Sequence, residues 1–212
     1  TRRDYDQYYR GFSNATLWPV FHYRGDLARF DRQEYAGYLR VNAMLAKQLA
    51  ALLRPDDLIW VHDYHLLPFA HCLRELGVKN PIGFFLHIPF PSPDMLRLVP
   101  PHEELVKFMC AYDVAGFQTD ADKQAFTDYI ERRGIGAASE DGMLHAHGRV
   151  VKVAAYPIGV HPDAIAQAAV QYGTRKPVKM LSEALGDRKL VISVDRLGYS
   201  KGPVGRFPTG ER

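Results

Sequence analysis

Long apolar runs are missing from this sequence. No stretch reaches the about 18 consecutive apolar residues that a membrane-spanning helix needs, so no membrane partner is expected. Cysteine is scarce, with Cys72 and Cys110 the only two in 212 residues. Two cysteines do not make a disulfide framework, and a reduced, cytoplasmic setting is expected. Charge of one sign is lacking as well: 27 Lys and Arg stand against 24 Asp and Glu, a net charge of +3. That balance gives no reason to expect a nucleic-acid partner, although a locally positive pocket for phosphate remains open. Internal repeats, low-complexity tracts and a G-x-x-x-x-G-K phosphate loop are also absent. The opening "TRRDYDQYYRG" is polar and aromatic, unlike a signal peptide. It does not begin with Met, and the expectation is a chain that starts inside a longer one.

What is present is ordinary globular composition, 47% hydrophobic and 24% charged, arranged as alternating strand and helix signals. Residues 34–54 space Tyr38, Val41, Leu45 and Leu49 along one helical stripe. "DLIWVH" (57–62) is a short apolar run bounded by charge, as in a buried strand. The stretch 68–77 starts in proline and stops in glycine, as a helix does. A second strand is expected over 82–88, followed by the stiff loop "PFPSPD" (89–94). A helix over 102–110, a third strand over 112–119 and a helix over 120–134 come next, the last with Asp120 as N-cap. This alternation predicts an α/β fold, a Rossmann-like parallel sheet with helices on both faces. Beyond Gly134, a hairpin is expected over 142–160, a connecting helix around 162–185, and a new strand over 189–197 entering the loop "GYSKG". The domain boundaries expected are therefore 1–160, a connecting segment 161–188, and the start of a second domain at 189–212.

Chemistry-bearing residues concentrate in "IWVHDYHLLPFAH" (59–71). A zinc site needs ligands that converge from one element, whereas His62 ends a strand, His65 follows a turn and His71 lies on the next helix; no metal is expected. For His65 and His71 two roles stay open, a site role and simple bonding of the strand end to backbone. Asp63 follows the carboxyl end of a strand, where open α/β sheets place their ligands, and a carboxylate there accepts hydrogen bonds from sugar hydroxyls. His87 occupies the matching place after the next strand, beside Pro89, Pro91 and Pro93, which restrict the loop. The aromatic stretch 8–24 offers flat faces and polar tips suited to sugars. In "SVDRLGYSKG", Arg196 and Lys201 flank a glycine loop after a strand, a pair able to neutralise a diphosphate.

Taken in order, "FSNATLWPVFHYR", "VHDYHLLPFAHCLRELG", "IGFFLHIPFPSPD", "YDVAGFQTDADKQAF", "YPIGV" and "SVDRLGYSKG" resemble the trehalose-6-phosphate synthases over about residues 4 to 202. These are retaining glucosyltransferases of GT-B arrangement, with two Rossmann-like domains facing across a cleft. The resemblance implies transfer of glucose from UDP-glucose to glucose 6-phosphate, without metal or other cofactor. It implies acceptor-site roles for Tyr9 and Trp18, and a place for Asp63 between acceptor and donor sugars. By the same resemblance His87 contacts the donor glucose, and Arg196 and Lys201 hold the donor diphosphate and support the leaving UDP.

The chain also departs from the family pattern. The glycine-rich loop near the family's beginning and most of its second domain have no counterpart here. Gly198 stands where the family usually has aspartate, and the tail after Gly202 no longer follows it. These 212 residues are therefore expected to resemble the N-terminal half of the enzyme and to be inactive alone, because half of the cleft is lacking. Two alternatives stand beside this expectation. One is a non-catalytic module that binds sugar phosphate; the other is a glucosylglycerol-phosphate synthase-like transferase with a different acceptor. Homo-oligomerisation of a full-length protein stays open.

Overall fold

The computed structural model describes residues 1–139, 141–186, 188–190 and 192. Of the strand expected over 189–197 only Lys189, Leu190 and Ile192 are described, and Arg196, Gly198 and Lys201 lie outside the described residues. The chain divides into two compact units, Thr1–Ile158 and Gly159–Arg212.

The first unit opens with three consecutive helical segments. They are α1 (Arg2–Tyr5), a wide-turned π-helical segment (Asp6–Leu17) and α2 (Trp18–Phe21). The Trp18 amide donates to the Ser13 carbonyl five residues back, the signature of the wider turn. Wide turns of this kind recur at functional sites. Helix α3 (Arg32–Ala50) starts where the Asp31 carboxylate accepts from the Gln33 and Glu34 amides at 2.7 and 3.0 Å. Strand β1 (Ile59–His62), α4 (Phe69–Glu75), β2 (Ile82–Phe85), α5 (Pro93–Leu96), α6 (His102–Met109), β3 (Val114–Phe117) and α7 (Asp120–Arg132) follow. The cap of α7 is Thr119 rather than the expected Asp120. Thr119 is still extended and its hydroxyl accepts from the Asp122 amide at 3.2 Å, while Asp120 is already helical. Gly134 ends the region at φ +63°, which a side chain would disfavour.

Strands β4 (Gly136–Ala138), β5 (Met143–Ala146) and β6 (Arg149–Ala155) complete a six-stranded sheet of order β1-β2-β3-β6-β5-β4. β1, β2, β3 and β6 run parallel, whereas β4 and β5 are antiparallel. The sheet is thus mixed: the Rossmann-like parallel part expected from the sequence, extended by antiparallel strands after Gly134. The hairpin expected over 142–160 forms and returns to the sheet through β6. β4 escaped notice because "GAA" carries no strand signature.

β1 alternates buried Ile59 and Val61 with exposed Trp60 and His62, and the core lies on the Ile59 side. It is rich in aromatics: Phe12, Tyr38, Phe84, Phe90, Tyr112, Phe117, Phe126 and Tyr129 are all buried. Each such side chain contributes about 1.5–3 kcal/mol. Both cysteines are free, and burial pushes their thiols up, Cys72 to about 11 and Cys110 to about 12. In the second unit the connecting segment is two helices, α8 (Pro162–Gly173) and α9 (Lys176–Leu185). Pro177 in the first turn of α9 lacks the amide hydrogen that one continuous helix would use. Among the described residues no helix is long and apolar enough to cross a membrane.

Candidate active site

The carboxyl ends of β1 and β2 hold the site. The parallel register pairs His62 with Phe85, and one further ladder bond runs from the Asp63 amide to the Phe85 carbonyl at 2.9 Å. Asp63 itself sits at φ +74°, ψ 164°, a region essentially reserved for glycine and costing a side-chain-bearing residue about 1–3 kcal/mol. Its carboxylate accepts from the Tyr64 amide at 3.0 Å.

Three buried side chains hold this strained turn in place. The Tyr38 hydroxyl donates to the Tyr64 carbonyl at 2.7 Å and accepts from the Leu67 amide at 3.2 Å. The Tyr112 hydroxyl donates to the Leu66 carbonyl at 2.6 Å, and the Asn42 amide nitrogen to the His65 carbonyl at 3.2 Å. Tyr38 was legible in the sequence only as part of an apolar stripe. A periodic pattern records that a ring is buried, not that its hydroxyl clamps a turn 26 residues away.

Around Asp63 the rings form a ladder. Tyr9 stacks on His65 at 5.3 Å and 11°, His65 leans on Tyr64 at 4.0 Å, and Tyr64 meets Trp18 at 5.7 Å. The Tyr64 hydroxyl donates to the Asn14 carbonyl oxygen at 2.8 Å. The N-terminal helical segments therefore bring Tyr9 and Trp18 to the turn that carries Asp63. His65 is pushed below the ordinary imidazole range by burial, with the Asp63 charge opposing. Its Nε2 is buried and has no hydrogen-bond partner among the described residues. His71, on α4, pairs instead with Glu75 at 3.3 Å and packs on Phe108, away from the ladder.

His87 lies in a different place. With Trp60, His62, Phe85, Tyr156 and Ile158 it lines a cavity of about 460 Å³, and Asp63 is not among the lining residues. Its loop is pinned where the Phe90 amide donates to buried Asp122 at 2.9 Å. Among the described residues no three His, Cys, Asp or Glu side chains converge as metal ligands would.

Two neighbouring strand ends thus present a carboxylate set in aromatic rings and a histidine beside a cavity. The model of glycosyltransferase family 20 matches residues 1–209. The chain belongs to glycosyltransferase family 20. A trehalose-6-phosphate synthase of Sinorhizobium fredii is 49% identical over 212 residues, covering 100% of this chain and 46% of that relative. The crystal structure of an alpha,alpha-trehalose-phosphate synthase (UDP-forming) from Burkholderia vietnamiensis is 90% identical with a TM-score of 0.95, covering 100% of this chain and 48% of that one. A third, from Burkholderia xenovorans in complex with glucose-6-phosphate, is 60% identical with a TM-score of 0.92, covering 97% and 46%. The chain spans about half the length of the curated relatives it matches. Within this family 20 chain, Tyr64 and the bracing residues Tyr38, Asn42 and Tyr112 are the part of the candidate site to which the motifs assign no role, and His65 is the residue whose role they leave open.

Proposed function

We propose that this chain supplies the acceptor side of a glucosyl transfer from UDP-glucose to glucose 6-phosphate, giving trehalose 6-phosphate and UDP, in the cytoplasm where both substrates are made. The observation that carries the proposal is the ladder of Tyr9, His65, Tyr64 and Trp18 beside the strained Asp63. Stacked rings suit the C–H face of a sugar. A carboxylate held by backbone geometry accepts hydroxyl hydrogen bonds without first having to be ordered.

In this mechanism the acceptor's anomeric hydroxyl oxygen bonds to C1 of the donor glucose while the bond from C1 to the diphosphate oxygen breaks. UDP leaves with that electron pair. Attack from the face that UDP departs retains configuration and puts the leaving oxygen next to the hydroxyl proton, which it takes. Asp63 aligns hydroxyls and is no nucleophile, and His87 contacts the donor sugar. Arg196 and Lys201, assigned by the motif alone, stabilise the charge growing on the diphosphate, an effect commonly worth a few kcal/mol.

Calorimetric titration of the purified chain with glucose 6-phosphate tests the acceptor side. Saturable binding is expected, and about tenfold weaker binding, about 1.4 kcal/mol, in Tyr9→Ala and in Trp18→Ala. Stronger binding of glycerol 3-phosphate would replace the acceptor, and no binding of either would remove the proposal. Turnover is tested by exchanging this sequence into the matching half of the Burkholderia vietnamiensis enzyme and following UDP release, which Arg196→Ala is expected to abolish.

A further inference from the structure

His62 has no role in the site as described so far, yet it makes a direct side-chain contact with His87. Its Nδ1 lies 2.9 Å from Nε2 of His87, with the rings 5.1 Å apart and 27° from parallel. The contact follows from the sheet. His62 is opposite Phe85 in the register, and His87, two residues further, falls on the same side as a diagonal neighbour. Trp60 packs on His62 at 4.4 Å, and Phe85 meets His87 edge-on at 4.8 Å. Each imidazole is thus held by its own aromatic neighbour as well as by the other ring.

A hydrogen bond between two neutral imidazoles needs one ring to donate and the other to accept. The intrinsically preferred neutral tautomer of histidine carries its proton on Nε2. In that form His62 offers a bare Nδ1 and His87 offers Nε2–H, so both rings make the contact without leaving their preferred state. His87 is then left with an unprotonated Nδ1, which has no partner among the described residues.

We propose that His62 is a positioning residue: its Nδ1 accepts from Nε2–H of His87 and holds that ring in the tautomer whose Nδ1 lone pair accepts a hydroxyl of the donor sugar. This rests on the glucosyl-transfer function above, and it adds a preference, for a sugar group that donates a hydrogen bond at that point. A neighbour that fixes the far nitrogen of a working imidazole, and so decides which nitrogen is free, is a recurrent device.

The test is long-range proton–nitrogen NMR of the imidazoles in the full-length enzyme made by exchanging this sequence into the matching half of the Burkholderia vietnamiensis enzyme, at about pH 8, above the ordinary histidine value of about 6.5. The wild type is expected to show His87 as the Nε2–H tautomer, with UDP-glucose shifting its Nδ1. His62→Phe removes the acceptor and is expected to relax His87 from the pure Nε2–H form to a mixture of the two tautomers, with a smaller shift of its Nδ1 on adding UDP-glucose. His62→Asn puts a carbonyl oxygen where Nδ1 stood and is expected to restore the pure form and the full shift. An unchanged amide spectrum confirms that each variant is folded. His87 as the Nδ1–H tautomer, or unaltered by His62→Phe, overturns the proposal. So does an unchanged response to UDP-glucose in a His62→Phe chain whose tautomer has shifted. If UDP-glucose shifts no wild-type resonance while the pair is intact, the donor-sugar function of His87 falls, and the role of His62 falls with it.

Discussion

The two ends of the parallel strands solve opposite problems. At the amino ends the charged side chains pair within one network, and only Nε of Arg74 and of Arg149 are buried there without a partner among the described residues. The Asp113 carboxylate accepts from Arg74 and from the Ile82 amide, both at 2.7 Å. Arg74 also donates to the Val78 and Asn80 carbonyls, and Asn80 to those of Arg54 and Asp57. One network thus ties together the entrances to β1, β2 and β3. At the carboxyl ends the same strands finish in a residue strained at φ +74°, a buried His65 nitrogen without a partner among the described residues, and a cavity. Stability is concentrated at one edge and unused binding capacity at the other, as expected of an open α/β sheet that takes ligands at its carboxyl edge.

The largest effect expected from breaking this contrast comes from the amino edge. Asp113→Ala leaves Arg74 (16% exposed) without its carboxylate and the Ile82 amide without its acceptor. A loss of about 3 kcal/mol is expected, read as a lower midpoint in urea denaturation. A loss below about 0.5 kcal/mol would mean that the edge behaves as a surface ion pair and that the contrast is overstated.

The carboxyl edge is expected to respond the other way. Asp63→Gly and Asp63→Ala both lose the bond to the Tyr64 amide, but only glycine relaxes at this φ. The glycine variant is expected to be about 1 kcal/mol more stable than the alanine variant, while neither binds glucose 6-phosphate. Equal stability would show that Asp63 carries no strain.

The smallest effect is one of pH. Burial lowers His65 and, with the nearby Arg133 and Arg97 charges, His102; burial and Lys107 lower His147. Each folded-state value lies below that of the unfolded chain, so around and below about pH 6.5 the unfolded chain binds more protons. Stability from these groups is complete above about pH 6.5 and is lost as the pH falls through that value. Thermal midpoints at about pH 5.5 should therefore lie below those at about pH 7.5. Replacing all three histidines with Gln should flatten that slope, which carboxylate titration at lower pH would leave intact.

Much of the scaffold was legible because it rests on local chemistry. The apolar runs ending in His62 and Phe85, the proline and glycine around α4, and the glycine after α7 all act within a few residues. The split of α8 from α9 was equally local, in Pro177, although it was read as one helix. Strand β4 was not legible, since "GAA" gains strand character only from its partner β5. The mixed direction of the sheet likewise arises from pairing between segments.

By itself the sequence determined the family, the alternation of strands and helices, and the positions of Asp63 and His87 just past two strand ends. Those properties depend on residue order and on periodicities of a few residues. Only the tertiary structure decided that Tyr38, Asn42 and Tyr112 clamp the Asp63 turn. It alone joined Tyr9 to Trp18 through His65 and Tyr64, and turned His87 to His62 and a cavity that Asp63 does not line. The physical reason is the same in each case. A side chain's hydrogen-bond partner depends on register and packing between segments far apart in the chain, which local sequence does not specify.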